Sequence, residues 1–173
     1  MHKRIGFLTC LIFTFSIFAA CQGKPSPAAS ASCDLGGGKT IKTDYSSPRA
    51  KGRKIYGGLV PFGEVWRTGA NAATTFVTSS DVVIGGKSVP GGSYTIFTVP
   101  SADKWTLIIN KKTGEWGIPY KYESDELARI DMKVSKLPAP VENFTISYEK
   151  SGSGCTMQID WETTRASVDI SAK

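Results

Sequence analysis

The sequence predicts an all-β protein, an antiparallel β-sandwich or jelly-roll that carries one long, ordered, glycine-rich loop. Three observations predict it. Apolar and polar residues alternate with period two over several late segments, a pattern that sends one set of side chains to a core and the other to solvent. Glycine and proline, 18 and 9 of 173 residues, recur between these segments and punctuate turns. Only Glu123 to Ala128 reads as helix, and it is short. Many strands with almost no helix leave a sandwich or jelly-roll.

The N-terminus comes first in chain order. Lys3 and Arg4 form a positive start, Ile5 to Phe18 an apolar run, and Ala19-Ala20 a small-residue end before Cys21. An apolar run of about 14 residues is short for a membrane span, which needs roughly 20. Residues 1–20 therefore read as a secretory signal peptide. Phe18-Ala19-Ala20-Cys21 also resembles the bacterial lipobox, although Phe18 stands where Leu is usual. The resemblance implies cleavage before Cys21, its acylation, and an anchor in membrane lipid. The expected location is the cell envelope, the outer membrane or a periplasm-facing surface rather than the cytoplasm. Gln22, in place of Asp, leans toward the outer membrane.

Residues 22–32 are small, polar and proline-containing, with nothing to bury, and Gly36-Gly37-Gly38 follows them. The expectation is a lipid-anchored flexible tether over 21–38. An extended 11-residue tether reaches at most roughly 35–40 Å. Residues 39–173 are then a single domain of ordinary size, with no internal repeat.

Within that domain the middle strands are short and apolar: 75–78, 82–84, 93–99 and 105–110. Gly85-Gly86 and Gly91-Gly92 read as hairpin punctuation. Four later segments alternate cleanly. They are 129–134, 143–148, 155–162 and 165–170, with Ile130, Phe144, Met157 and Val168 among the inward residues. Their connectors hold Pro138 and Pro140, then Ser151 to Gly154, then Thr163-Thr164. Short links between alternating strands predict an antiparallel meander.

Composition excludes several chemistries. His2 is the only histidine of the chain and leaves with the signal. Ser-His-Asp and Cys-His catalysis are excluded for the mature protein, as is any metal site that needs imidazole. No metal and no cofactor are expected. Removing Lys3 and Arg4 from 21 basic side chains leaves 19 against 15 acidic, a formal charge of +4. That is no nucleic-acid signature, and nucleic acid is not expected as a partner. With Cys10 removed and Cys21 acylated, Cys33 and Cys155 remain, and two thiols outside the cytoplasm tend to pair.

Residues 48–71 stand apart. Arg49, Lys51, Arg53 and Lys54 place four positive charges in six residues, no acidic residue follows until Glu64, and Gly57, Gly58, Gly63 and Gly69 interrupt any regular element. Long loops in small domains tend to carry function. Residues 51–71 read KGRKIYGGLVPFGEVWRTGAN. With Pro90-Gly91-Gly92-Ser93-Tyr94-Thr95, Trp105-Thr106 ahead of Asn110, and Trp161-Glu162 ahead of Arg165, the chain closely resembles the bacterial Domain of Unknown Function 2911 family. Gly91-Gly92 departs from the family's usual Ala-Gly. The resemblance covers roughly residues 40–171. It implies an exported β-rich domain and leaves the activity open.

The candidate site residues are Arg53, Tyr56, Glu64, Trp66, Arg67 and Asn71. A guanidinium fork binds carboxylates bidentately, so Arg–Glu pairs can pin the loop while Trp66 plugs the core beneath it. Alternatively Arg53 or Arg67 holds an anionic or carbohydrate ligand against Trp66, since such sites combine apolar walls with a few fixed polar groups. A histidine-free hydrolase of envelope glycans or peptides would need paired carboxylates, for example Glu64 with Asp44 or Glu115, or Ser46 or Ser47 activated by Lys51. No spacing selects any of these pairs. The leading expectation is thus a membrane-anchored binding or structural module. Trp105 and Trp161 share strand faces with apolar neighbours and read as core. Trp116 lies in a loop and is the candidate exposed aromatic.

Overall fold

A computed structural model describes residues 26–173. The segment 1–20 expected as a signal peptide and the expected lipidation site Cys21 lie outside the described residues. The alternating segments become nine antiparallel strands: β1 (Ala28–Gly36), β2 (Lys39–Ser46), β3 (Thr74–Thr78), β4 (Val82–Ile84), β5 (Lys87–Val89), β6 (Gly92–Val99), β7 (Lys104–Asn110), β8 (Glu126–Ser151) and β9 (Gly154–Ala172). They form one open sheet in the order β1-β2-β3-β6-β7-β8-β9-β4-β5. The all-β antiparallel class is as expected, but the two faces of the core belong to one continuous sheet.

The sheet covers itself because its two longest strands bend. The first part of β8 pairs with β7, from Glu126↔Asn110 to Lys133↔Lys104. Its last part lies over β2: the Tyr45 hydroxyl donates to the Ile146 carbonyl, the Ile146 N–H donates back at 3.0 Å, and the Ser47 hydroxyl donates to the Phe144 carbonyl at 2.6 Å. Strand β1 ends up against β9, where Cys33 and Cys155 form a disulfide with Cα atoms 6.7 Å apart.

Three expectations change. The meander is not four strands: 129–134 and 143–148 are one strand, and so are 155–162 and 165–170. Pro138 and Pro140 sit where the β8–β9 register shifts between Lys136 and Val141. A proline that cannot donate to the ladder is tolerated at such a bulge. Glu162, at φ 53°, marks the corresponding bend in β9. The helix expected at 123–128 is a single 3-10 turn over Glu123–Asp125, because β8 begins at Glu126. The tether expected over 21–38 includes β1, which pairs with β2 from Ala28↔Ser46 onward. Its alternation of small residues carries too little apolar signal to read as a strand.

The core is aromatic at one end. Trp105 and Trp161 are buried as expected, together with Phe144, Phe76, Tyr56 and Trp66. Trp66 stacks on Trp161 with centroids 6.0 Å apart and planes at 16°, and meets Phe144 edge-on at 5.1 Å. Such pairs contribute about 0.5–1.5 kcal/mol each beyond area burial. A second, smaller cluster of Ala73, Phe97 and Ile108 packs with Tyr120 and Tyr122 from the loop before β8.

Candidate functional site

The segment between β2 and β3 is long but fixed at each stage by backbone hydrogen bonds. The Phe144 N–H donates to the Pro48 carbonyl and the Ala50 N–H to the Glu142 carbonyl, which stitches the start of the loop to β8. A tight turn follows, in which the Val60 and Gly58 N–H groups both donate to the Ile55 carbonyl. A Cβ at Gly58 would stand 2.5 Å from the Lys54 carbonyl oxygen, so only glycine closes that turn. Trp66 then exchanges two hydrogen bonds with Thr98 of β6, at 2.8 and 2.9 Å. Its indole N–H donates to the Gly69 carbonyl at 3.1 Å, so the ring is locked in place over the core.

Next to Trp66 the backbone is strained. Thr68 holds φ 55°, a left-handed conformation that a β-branched residue rarely adopts. Two threonines hold it: the Thr74 hydroxyl donates to the Thr68 carbonyl at 2.6 Å, and the Thr68 and Thr98 hydroxyls are 3.1 Å apart. Asn71, at φ 59°, belongs to a residue type that tolerates this region. Its amide donates to the Ser46 hydroxyl and to the Ser26 carbonyl.

Over the Trp66 and Trp161 rings lies a cavity of about 500 Å³, within the range of small-molecule sites. Four cationic side chains, Arg49, Lys51, Arg53 and Arg67, line it with one carboxylate, Glu64. Among the described residues none of these five takes part in a salt bridge. The arginines are oriented by uncharged partners. Arg49 donates to the Ser47 carbonyl and hydroxyl, at 2.9 and 2.8 Å. Arg53 donates to the carbonyls of Ala50 and Arg49, at 3.0 and 2.6 Å. Arg67 donates to the carbonyls of Asn71 and Trp116, and its guanidinium stands 5.3 Å from the centroid of the Trp116 ring. Loss of solvent around Arg67 lowers its pKa, although a guanidinium stays charged at any ordinary pH. The arrangement is three preorientated forks with their charge uncompensated by the protein.

Five of the six candidate residues, Arg53, Glu64, Trp66, Arg67 and Asn71, line this cavity. Tyr56 does not. Its ring lies beneath, 4.8 Å from Trp105, and its buried hydroxyl has no hydrogen-bond partner. Burial, reinforced by Asp160 and Glu162, pushes its pKa far up. The expected Arg67–Glu64 pair does not form, because Arg67 turns toward Asn71 and Trp116 instead. Of the three carboxylates weighed for hydrolysis only Glu64 reaches the cavity wall. Asp44 pairs with Lys42 at 2.9 Å, and Glu115 accepts from the Tyr122 hydroxyl at 3.3 Å.

Sequence reasoning did not select Ser26, Arg49, Ile118 or Trp161 for this wall. Arg49 carried a signal as part of the basic run. Ile118 and Trp161 come from elements 50–100 residues away, and nothing local marks their convergence. Trp116 is exposed (59%), as its loop position suggested, yet it acts as the platform for Arg67.

A family model described as protein of unknown function (DUF2911) matches residues 26–170. No curated protein and no solved structure matches the chain.

Proposed function

We propose that this chain, which belongs to the DUF2911 family over residues 26–170, is a lipid-anchored envelope protein whose cavity binds the anionic group of a small ligand. The observation that carries this reading is the absence of any carboxylate partner, among the described residues, for Arg49, Arg53 and Arg67. The three guanidinium groups donate to backbone carbonyls and the Ser47 hydroxyl, neutral acceptors that orient each fork and leave its charge for an anion. A carboxylate, a phosphate or an acidic sugar fits the geometry, with the Trp66 and Trp161 rings as the floor. The single carboxylate at the wall supports binding over paired-carboxylate hydrolysis. Envelope location and the Cys21 anchor rest on the N-terminal sequence alone.

Two free anions, inorganic phosphate and glucuronate, serve as probes by calorimetric titration of the mature protein. At least one is expected to bind saturably, with affinity reduced tenfold or more by Arg67→Gln or Arg53→Gln. Binding of neither probe, or binding indifferent to both substitutions, refutes the reading.

A further inference from the structure

Exposed apolar side chains stand beside the cationic ones of the cavity. Leu59 and Ile118 line it and are 47% and 42% exposed; Trp116, under the Arg67 guanidinium, is 59% exposed. Three of the six large exposed hydrophobic residues of the described chain, Leu59, Trp116 and Ile118, thus lie at or directly beside one cationic cavity. A site for a small, fully hydrated anion gains nothing from such neighbours. Exposed apolar side chains beside cationic forks match the boundary between lipid headgroups and acyl chains, where aromatic and aliphatic residues insert beside basic ones.

The place where the chain enters the domain bears on the same point. Ser26 lines the cavity, its carbonyl accepts from the Asn71 amide, and the Pro27 carbonyl accepts from the Ser47 N–H at 2.8 Å. The chain is therefore tied down at the mouth. Cys21 lies five residues earlier, and five residues span at most roughly 16–18 Å. That is about half of the reach expected for a tether ending near residue 32. Given the lipid anchor proposed above, on which this inference rests, the mouth is held close to the bilayer in which the acyl chains sit.

We infer that the anionic group is supplied by that bilayer: the cavity takes the phosphate of an anionic phospholipid headgroup, while Leu59, Trp116 and Ile118 seat in the interface beside it. Anchor and cavity then act together. The acyl chains hold the protein at the surface, and the headgroup contact fixes which face it turns to the membrane. Two linked contacts of this kind reinforce each other through effective concentration.

The test uses the mature, lipidated protein reconstituted in vesicles with brominated acyl chains, one set of phosphatidylcholine alone and one containing phosphatidylglycerol. Trp66, Trp105 and Trp161 are buried, so quenching of tryptophan emission reports on Trp116, with Trp116→Phe as control. Quenching is expected to be at least twofold stronger with phosphatidylglycerol. It should fall to the phosphatidylcholine level in Arg49→Gln/Arg53→Gln/Arg67→Gln and weaken in Arg67→Gln alone, a milder variant if the triple one misfolds. Equal quenching in the two lipids, or none in either, overturns the inference. If free phosphate still binds the cavity in that case, the anion-binding reading survives and only the lipid source falls.

Discussion

Replacing Arg67 by Ala separates a structural from a ligand-holding role, and the structure sets the size of the effect. The guanidinium makes two hydrogen bonds to the carbonyls of Asn71 and Trp116 and one contact with the Trp116 ring. Asn71 and Trp116 are both exposed, so water replaces the lost donor and no buried acceptor is orphaned. Each partly exposed hydrogen bond contributes about 0.5–1.5 kcal/mol net, and an exposed cation–π contact about 0.5–1 kcal/mol. Part of this is recovered when a long side chain no longer has to be held in one rotamer. The expected loss is about 1–2 kcal/mol. A domain of this size loses roughly 2–4 °C per kcal/mol, so the melting midpoint should fall by about 2–8 °C. Breaking a buried Arg–Glu pair would cost about 3–5 kcal/mol instead. Thermal melting by circular dichroism, beside anion titration, reads both roles. A fall beyond about 12 °C, or an unchanged anion affinity, refutes the assignment of Arg67 to the ligand.

Further expectations follow from other parts of the structure. Non-reducing digestion of the protein purified under non-reducing conditions should yield one linked peptide pair containing Cys33 and Cys155, and free thiols on the intact protein would contradict it. Cys33→Ser/Cys155→Ser removes a link across 122 residues of sequence and should cost about 5 kcal/mol in the chain-entropy model, read as a lower denaturant midpoint. Phe144→Ala empties the place between Tyr45, Trp66 and Trp161 and should cost about 3–5 kcal/mol; a loss under 1 kcal/mol would mean the aromatic end is loosely packed. Burial raises the pKa of the Tyr56 and Tyr148 phenols above the ordinary 10.0. Their contribution to stability is complete below that value and is lost as pH rises past it, since the unfolded chain ionises first. Phenolate absorbance of these two should therefore appear together with unfolding, and Tyr56→Phe/Tyr148→Phe should extend stability to higher pH. Cys21→Ser should abolish the acylated mass of the mature protein, and a normal lipidated mass would remove the anchor.

Some of this was legible in residue order because it depends on neighbours two apart. Alternation in 143–148 and 155–162 determined that Phe144, Ile146, Met157, Ile159 and Trp161 face inward, since side chains on a strand must alternate. The cysteine inventory pointed to Cys33 with Cys155. The basic run and the signature of residues 51–71 marked the loop that carries most of the cavity wall. What the sequence could not determine is where a strand bends and where it stops. Proline, threonine and left-handed residues serve a bulge as well as a turn, so Pro138, Pro140 and Glu162 looked like ends of strands that in fact run on. Those bends lay β8 over β2, and only then do Ser26, Arg49, Ile118 and Trp161 meet around Arg67. The partner of Arg67 was equally undetermined. A guanidinium takes whichever acceptor the backbone presents, and here the carbonyls of Asn71 and Trp116 receive it, leaving Glu64 in solvent.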